Sequence, residues 1–187
     1  MLVIGITGTL GSGKGSIMDY LIHNYGFTHF SFRVFLVEKM KQKGREINRD
    51  MMKKMADSLR EKFGPGYAAE ELYEQAKAGG QNAVLESIRA VGEVTSLKAK
   101  GNFYLFAVDA DPSVRYDRIR LRNNETDHVS YDKFISDEQR EFANEDPTQG
   151  NIQKCMQLAD FHFDNNGTLE QLQQQVDEVM NRIKKKG

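Results

Sequence analysis

Four glycines and one lysine follow directly on the apolar segment at the start of the chain. The first seven residues read MLVIGIT, and residues 8–16 read GTLGSGKGS. Glycines allow the backbone to curl tightly, so that its N–H groups can point inward around an anion. A helix that begins near Lys14 would aim the positive end of its dipole at the same anion, and the lysine ammonium would add a full charge. The spacing therefore predicts a loop that binds phosphate groups.

The spacing Gly8-x4-Gly13-Lys14 is the core of the Walker A motif, in which the lysine reaches the β- and γ-phosphates of a nucleoside triphosphate. The general motif has Ser or Thr directly after the lysine, whereas here Gly15 holds that position and Ser16 follows. We predict that the nucleotide is bound by every residue of this loop: Gly8, Thr9, Leu10, Gly11, Ser12, Gly13, Lys14, Gly15 and Ser16.

The segments around the loop alternate between short apolar runs and helical patterns, which is typical of an α/β domain with a mostly parallel sheet. Five runs are rich in β-branched or aromatic residues, and we predict strands there: Leu2–Ile6, Thr28–Phe32, Asn82–Glu86, Asn102–Val108 and Asp160–Phe163. A long helical insert is predicted over about residues 32–78, where it would hold a substrate. Within it, FGPG at residues 63–66 predicts two helices joined by either a hinge or a plain turn.

Composition narrows the classes of partner. The 187 residues include 26 Lys and Arg against 27 Asp and Glu, so the net charge of −1 does not favour a nucleic-acid or membrane surface. One cysteine can form neither an internal disulfide nor a thiolate zinc site. No apolar run approaches the length of a membrane span. We therefore expect a single domain over residues 1–187, cytoplasmic, with small-molecule partners; the oligomeric state stays open.

The loop sequence GSGKGS resembles the GxGKGT loop of adenylate kinases and other nucleoside monophosphate kinases. In that family a glycine follows the lysine, and the hydroxyl residue comes one position later. The resemblance implies a P-loop NTPase fold, a three-layer sandwich with a central five-stranded parallel sheet and a helical insert. It also implies that the chain binds ATP and Mg²⁺, with the Ser16 hydroxyl near the metal.

A second resemblance lies in residues 83–97, AVLESIRAVGEVTSL, which are similar to the DGFPRT segment of adenylate kinases. By this resemblance Glu86 replaces the aspartate near Mg²⁺, and Arg89 is the arginine that binds the phosphate of the acceptor. The family carries another arginine after the second strand. Here Val37 occupies that position, and Arg33, one helical turn earlier, is the candidate to replace it.

Residues 108–122, VDADPSVRYDRIRLR, resemble both nucleoside monophosphate kinases and dephospho-CoA kinases, in which a strand leads into an arginine-bearing helix and a lid. Arg115, Arg118 and Arg122 recur at i, i+3 and i+7 on one helix face. A row of guanidinium groups suits the charge that spreads over a transferring phosphoryl group. The resemblance matches Arg118 and Arg122 to lid arginines and implies a short lid over about residues 118–130.

Together these resemblances imply a kinase that transfers the γ-phosphoryl group of ATP to a small phosphorylated acceptor, in the first place a nucleoside monophosphate. Arg33 and Arg89 would bind this substrate, and Ser16 and Glu86 would position Mg²⁺. The catalytic residues implied are all cations: Lys14, Arg89, Arg118 and Arg122.

Two alternatives stay open. The last strand and helix, residues 159–179, are similar to those of dephospho-CoA kinases, which favours that activity. Adenylate kinases carry an acidic residue just after the second strand, and it is missing here. Together with the glutamate at position 86, this would also fit a catalytically weak, nucleotide-binding regulatory module. A GTPase is disfavoured, because the guanine-selecting NKxD tetrapeptide is absent from the sequence.

Overall fold

Five parallel strands form the middle layer of the computed structural model, which describes residues 1–122, 129–142 and 150–185. The strands are β1 (Val3–Gly8), β2 (Thr28–Ser31), β3 (Ala83–Glu86), β4 (Phe103–Asp109) and β5 (Phe161–Asp164). Their order in the sheet is β2-β3-β1-β4-β5, and every neighbouring pair is parallel. The five predicted strands are thus confirmed, with ends that differ by two residues at most.

Helices connect the strands and cover the sheet. In the described ranges they are α1 (Lys14–Tyr25), α2 (Phe32–Gln42), α3 (Arg49–Phe63), α4 (Tyr67–Gly79), α5 (Val91–Ala99), α6 (Pro112–Arg122), α7 (Tyr131–Phe142), α8 (Ile152–Gln157) and α9 (Leu169–Lys184). Helix α1 ends at Gly26 in a left-handed conformation, the termination that its sequence favours. None of the described helices combines the length and the apolar composition that a membrane crossing requires.

Two apolar clusters, one on each face of the sheet, make this a three-layer α/β fold. Ile4 and Ile6 of β1 pack with residues of α1 and α9, whereas Val3 packs with residues of α3, α4 and α5. Successive residues of a strand point to opposite faces, and both faces are covered here. The strands therefore read as continuous apolar runs, and the predicted fold class is confirmed.

The helices α2, α3 and α4 lie between β2 and β3, where the sequence predicts a helical insert. The turn between α3 and α4 is seated on α5. A Cβ atom on Gly92 would lie only 2.4 Å from the Pro65 Cβ, so the two residues are in close contact. This packing favours a fixed turn over a hinge. Of the predicted lid, residues 123–128 lie outside the described part of the chain.

Candidate active site

The carboxyl ends of the strands bring the predicted site residues to one edge of the sheet. Glu86, at the end of β3, is in register with Ile6 of β1 and with Ser31 of β2. The glycine-rich loop follows β1, Arg33 follows β2 by two residues, and Arg89 follows β3 by three. Helix α1 covers one face and α5 the other, so the connections after β1 and β3 diverge. Such a divergence opens a crevice where ligands bind in α/β sheets.

The loop between β1 and α1 has a shape that requires glycine at three positions, Gly8, Gly11 and Gly13. Gly8 has a φ of 147° and Gly13 a φ of 102°, both in the region that side chains disfavour. A Cβ atom on Gly8 would lie 2.1 Å from the Val108 carbonyl oxygen. One on Gly13 would lie 2.1 Å from Nδ2 of Asn165, which donates a hydrogen bond to the Ser12 carbonyl at 2.8 Å. Asn165, the residue that follows β5, thus braces the loop.

The first turn of α1 is open to an anion. Gly13 is its N-cap and offers no side-chain cap, and the turn contains no acidic residue. A helix N-terminus with neither a side-chain cap nor a carboxylate in its first turn favours an anionic ligand. The Ser12 hydroxyl is buried and has no hydrogen-bond partner among the described residues. Because buried polar groups are nearly always paired, this orphaned hydroxyl fits a loop that is completed by its ligand.

The Lys14 ammonium lies against the same loop. Its Nζ donates hydrogen bonds to the carbonyl oxygens of Gly8, at 3.0 Å, and Thr9, at 2.7 Å. The side chain therefore folds back over the residues that precede it. This is the arrangement that a phosphate-binding lysine needs, since it keeps the charge beside the loop amides.

Gly15 differs from the other loop glycines discussed above. A Cβ atom built on it would meet nothing within 4 Å. Packing of the described residues therefore does not explain why glycine follows the lysine. The missing side chain leaves open space on the first turn of α1.

Glu86 is paired with a histidine that the sequence analysis overlooked. Its Oε2 lies 3.1 Å from Nε2 of His29, and both side chains are about three-tenths exposed. Ser87, the next residue, has a φ of 67°, which is rare for a residue other than glycine. His29 sits in β2, 57 residues before Glu86. Only the pairing of β2 with β3 brings them together, so the spacing along the chain carried no signal for this contact.

A second carboxylate, Asp109, was also overlooked. Its Oδ1 accepts hydrogen bonds from the Thr9 hydroxyl, at 2.5 Å, and from the backbone N–H of Ala110, at 2.9 Å. Asp109 is the last residue of β4, the strand beside β1. The sequence contained a usable signal for Asp109, because this acidic residue directly follows the predicted apolar strand, which ends at Val108.

The three arginines that the sequence places on one helix face differ in burial and in hydrogen-bond partners. Arg115 is only 2% exposed and forms a two-pronged ion pair with Glu138 of α7, with Nη2 2.8 Å from Oε1. Its Nε donates to the Ala110 carbonyl at 2.8 Å. Arg122 is exposed, and Nη1 of Arg118 is buried without a hydrogen-bond partner among the described residues. Arg115 therefore belongs to the framework, while Arg118 and Arg122 stay candidates for contacting a ligand.

The two predicted acceptor arginines lie on different connections. Arg33 is exposed in the first turn of α2, and Arg89 is exposed just before α5. The backbone of Arg89 is held on both sides. Its N–H donates to Oε2 of Glu93 at 2.9 Å, and its carbonyl accepts from the N–H of Asn151 at 2.7 Å.

The side chains at this edge suit a magnesium ion that is held mainly by phosphates. Mg²⁺ in such sites takes one or two protein oxygens together with substrate phosphates and waters. Glu86 and Asp109 end the strands on either side of β1, and the Ser16 hydroxyl lies in the first turn of α1. Across the described ranges there is no group of three or more His, Cys, Asp or Glu side chains that could hold a metal unaided. The donor set fits a metal that arrives with its nucleotide.

Residues 4–144 match the protein family described as an AAA domain. The chain belongs to this family, whose members are P-loop proteins of the kinase-like type. The AAA-domain chain is also 31% identical over 144 residues to UPF0200 protein MmarC7_0527 of Methanococcus maripaludis, covering 75% of this chain and 78% of that protein. It is 27% identical to UPF0200 protein MJ1399 of Methanocaldococcus jannaschii, covering 98% of this chain and 91% of that protein. It therefore belongs to the UPF0200 family as well.

Solved structures show the same fold for this AAA-domain protein. TT1252 from Thermus thermophilus superimposes with a TM-score of 0.64 at 19% identity, over 97% of both chains. A shikimate kinase from Bacteroides thetaiotaomicron superimposes with a TM-score of 0.59 at 12% identity, over 98% of both chains. A gluconokinase from Sinorhizobium meliloti gives 0.57 at 13% identity, over 97% of this chain and 93% of that one. The fold is that of P-loop kinases.

Proposed function

We propose that this AAA-domain protein is a kinase that transfers the γ-phosphoryl group of ATP to a small phosphorylated acceptor, in the first place a nucleoside monophosphate. The observation that carries the proposal is the loop of residues 8–16. It brings together a helix N-terminus without a side-chain cap, the Lys14 ammonium and the buried Ser12 hydroxyl, which has no hydrogen-bond partner within residues 1–122, 129–142 and 150–185. These groups suit a polyphosphate better than any single smaller anion.

On the donor side, the loop would bind the phosphates of ATP through its backbone N–H groups. Lys14 would exchange its contacts with the Gly8 and Thr9 carbonyls for the β- and γ-phosphate oxygens. Magnesium, bound through Ser16 and Glu86, would neutralise part of the phosphate charge. The protein would thereby fix the donor in line for transfer, which is most of what this reaction asks of an enzyme.

On the acceptor side, Arg89 and Arg33 would bind the phosphate of the second substrate. Both arginines follow strands at the same edge of the sheet as the loop, so two anionic substrates would meet there. Arg118 and Arg122 would contact the transferring group, whose charge spreads over three equatorial oxygens. Nη1 of Arg118, which is buried and finds no hydrogen-bond partner in the described part of the chain, supports this role, because an anion would satisfy it.

The proposal is tested by measuring ADP release from ATP and Mg²⁺ with a panel of acceptors. The panel contains the ribo- and deoxynucleoside monophosphates, dephospho-CoA, shikimate and gluconate. Transfer to a nucleoside monophosphate, with at least about 100-fold lower turnover in Lys14→Ala, is the expected result. Transfer only to dephospho-CoA would favour the second activity implied by the last strand and helix. Transfer only to shikimate or gluconate would contradict the proposal that the acceptor is a phosphorylated compound.

ATP binding is measured separately by calorimetry with a non-hydrolysable analogue. Binding without transfer to any acceptor would identify a regulatory module instead of an enzyme. If the wild-type protein bound no nucleotide, the phosphate loop and the whole proposal would fail.

A further inference from the structure

A buried ion pair joins the insert to the first turn of α5. Arg60 of α3 and Glu93 of α5 meet with Nη2 and Oε1 3.0 Å apart, and their side chains are only 10% and 1% exposed. Two charges so far from water are tolerated only when they are paired. This ion pair is outside the proposed phosphoryl-transfer machinery described above.

The other oxygen of Glu93 holds the backbone at Arg89. Oε2 accepts hydrogen bonds from the N–H groups of Arg89, at 2.9 Å, and Ala90, at 3.0 Å. On the other side, the N–H of Asn151 donates to the Arg89 carbonyl at 2.7 Å. Both peptide groups of Arg89 are therefore fixed. A fixed backbone gives the long guanidinium side chain a defined starting point.

The insert contacts the same helix at a second place. Gly66, in the turn after α3, is so close to α5 that a Cβ atom on it would lie 2.7 Å from the Ser96 Cβ. The Ser96 hydroxyl in turn donates to Glu70 of α4. Together with the contact of Pro65 and Gly92, this makes α3, α4 and the start of α5 one packed unit. Arg60 and Glu93 form its charged centre.

We propose that Arg60 and Glu93 are positioning residues that align Arg89 for the anionic group of the acceptor. The inference rests on the proposed function, in which Arg89 binds that group. Stability alone does not explain the pair, because buried ion pairs can often be replaced by apolar residues without loss. A carboxylate at position 93, in contrast, can accept from two backbone N–H groups and a guanidinium at once. The guanidinium of Arg60, which lies in the insert, thereby sets the geometry of the acceptor site through Glu93.

The decisive variant is Glu93→Gln, which keeps the size of the side chain but replaces one acceptor oxygen by a donor. Either Nη2 of Arg60 or the two N–H groups must then lose their acceptor at position 93, while Nη1 of Arg60 keeps its bond to Asp57 at 3.1 Å. With the acceptor found in the panel, its KM is expected to rise about tenfold or more, while the KM for ATP changes less than about twofold. Arg60→Lys keeps the charge without the planar fork and is expected to show a smaller rise of the same kind.

Glu70→Gln is the matched control, because Glu70 also bonds α5, through the Ser96 hydroxyl, while the N–H groups of Arg89 and Ala90 donate to Glu93. A purely structural role of Glu93 would lower the melting temperature and reduce activity without changing the ratio of the two KM values. Glu70→Gln is expected to keep the wild-type ratio of the acceptor KM to the ATP KM. If Glu93→Gln kept this ratio as well, the proposal would be overturned.

A second measurement does not depend on turnover. In ¹⁵N-labelled protein, inorganic phosphate is titrated and the NMR signals of the Arg89 backbone N–H and guanidinium are followed. We expect saturable shifts in the wild type and at least about fivefold weaker binding in Glu93→Gln. Equal phosphate affinity in both proteins, or no shift at Arg89 in the wild type, would contradict the inference. Failure of the proposed function is separate, since it would be seen as absent transfer in the acceptor panel.

Discussion

The Thr9 hydroxyl donates a hydrogen bond to Oδ1 of Asp109 across 2.5 Å, and so joins the glycine-rich loop to the end of β4. The two residues are 100 positions apart in the chain. The same carboxylate lies 3.4 Å from Nε of Arg115, whose Nη1 contacts the Leu10 carbonyl. The loop is therefore tied to the framework at two successive residues, and its shape is set before any ligand arrives.

Replacing Thr9 by valine keeps the shape of the side chain and removes this hydrogen bond. We expect the free energy of unfolding to fall by about 1.5–3 kcal/mol, because the acceptor is a charged group. Binding of a non-hydrolysable ATP analogue is expected to weaken by up to about tenfold, as measured by calorimetry. Thr28→Val is the control, since that hydroxyl bonds Gln81 at an exposed position. Equal losses of stability in the two variants would refute a special role for the bond to Asp109.

Arg115→Met is expected to destabilise the protein strongly, although the sequence places this residue beside two candidate ligand-binding arginines. Removing the guanidinium leaves Glu138 without its buried partner, a change that typically costs about 3–5 kcal/mol. Arg122→Met, at an exposed position of the same helix, is expected to change stability by less than about 0.5 kcal/mol and to lower turnover instead. Urea denaturation and the kinase assay measure the two effects. A stable Arg115→Met protein would contradict the framework role.

Alanine substitutions at Gly13 and at Gly15 are expected to change the free energy of unfolding in opposite directions. Gly13→Ala forces a side chain into a positive φ and against Asn165, so unfolding should become easier by about 2 kcal/mol or more. Gly15→Ala meets no atoms and replaces a helical glycine, so the protein should gain up to about 1 kcal/mol. Thermal denaturation compares them. Destabilisation by Gly15→Ala would show that the open space is smaller than described.

Lys14→Ala is expected to lower turnover by at least about 100-fold without unfolding the chain, because the Lys14 ammonium is bonded to the Gly8 and Thr9 carbonyls of the loop and not to the apolar core. Circular dichroism should stay unchanged. Lys77→Ala, which removes an exposed cation from α4, serves as the control for loss of charge. Full turnover in Lys14→Ala would remove the loop lysine from the mechanism.

The buried thiol of Cys155 predicts a loss of stability in alkali. Burial, and then the nearby charge of Glu93, raise the pKa of this thiol from its ordinary value of 9.0 to about 12, against an opposing effect of Arg60. The unfolded chain therefore releases the thiol proton at a lower pH than the folded protein. The contribution of the thiol to the free energy of unfolding is complete below pH 9 and declines as the pH rises towards 12. At pH 10 the free energy of unfolding should therefore be lower than at pH 8 by about 1 kcal/mol on account of this thiol.

Urea denaturation at the two pH values tests this against Cys155→Ala, in which that loss should disappear. The comparison between the two proteins is needed because burial and the bond to Asp177 also raise the pKa of Tyr25. A decline of the same size in both proteins would assign the effect to other groups.

The short-range features of this protein could be predicted from its sequence. The apolar runs located the five strands, and the helical patterns between the second and third strands located the insert that contains α2, α3 and α4. These signals act between residues a few positions apart, so the spacing along the chain contains them. The tight loop before Lys14 could be predicted for the same reason, because the spacing of its glycines is also a short-range signal.

Only the tertiary structure decided which distant side chains meet. His29 contacts Glu86, Thr9 contacts Asp109, and Arg115 pairs with a glutamate of α7. Periodicity assigns a residue to a helix face, but it does not say whether that face meets solvent, a ligand or a buried carboxylate. That choice depends on strand order and helix packing, because burial makes an unpaired charge costly and so selects its partner across the fold.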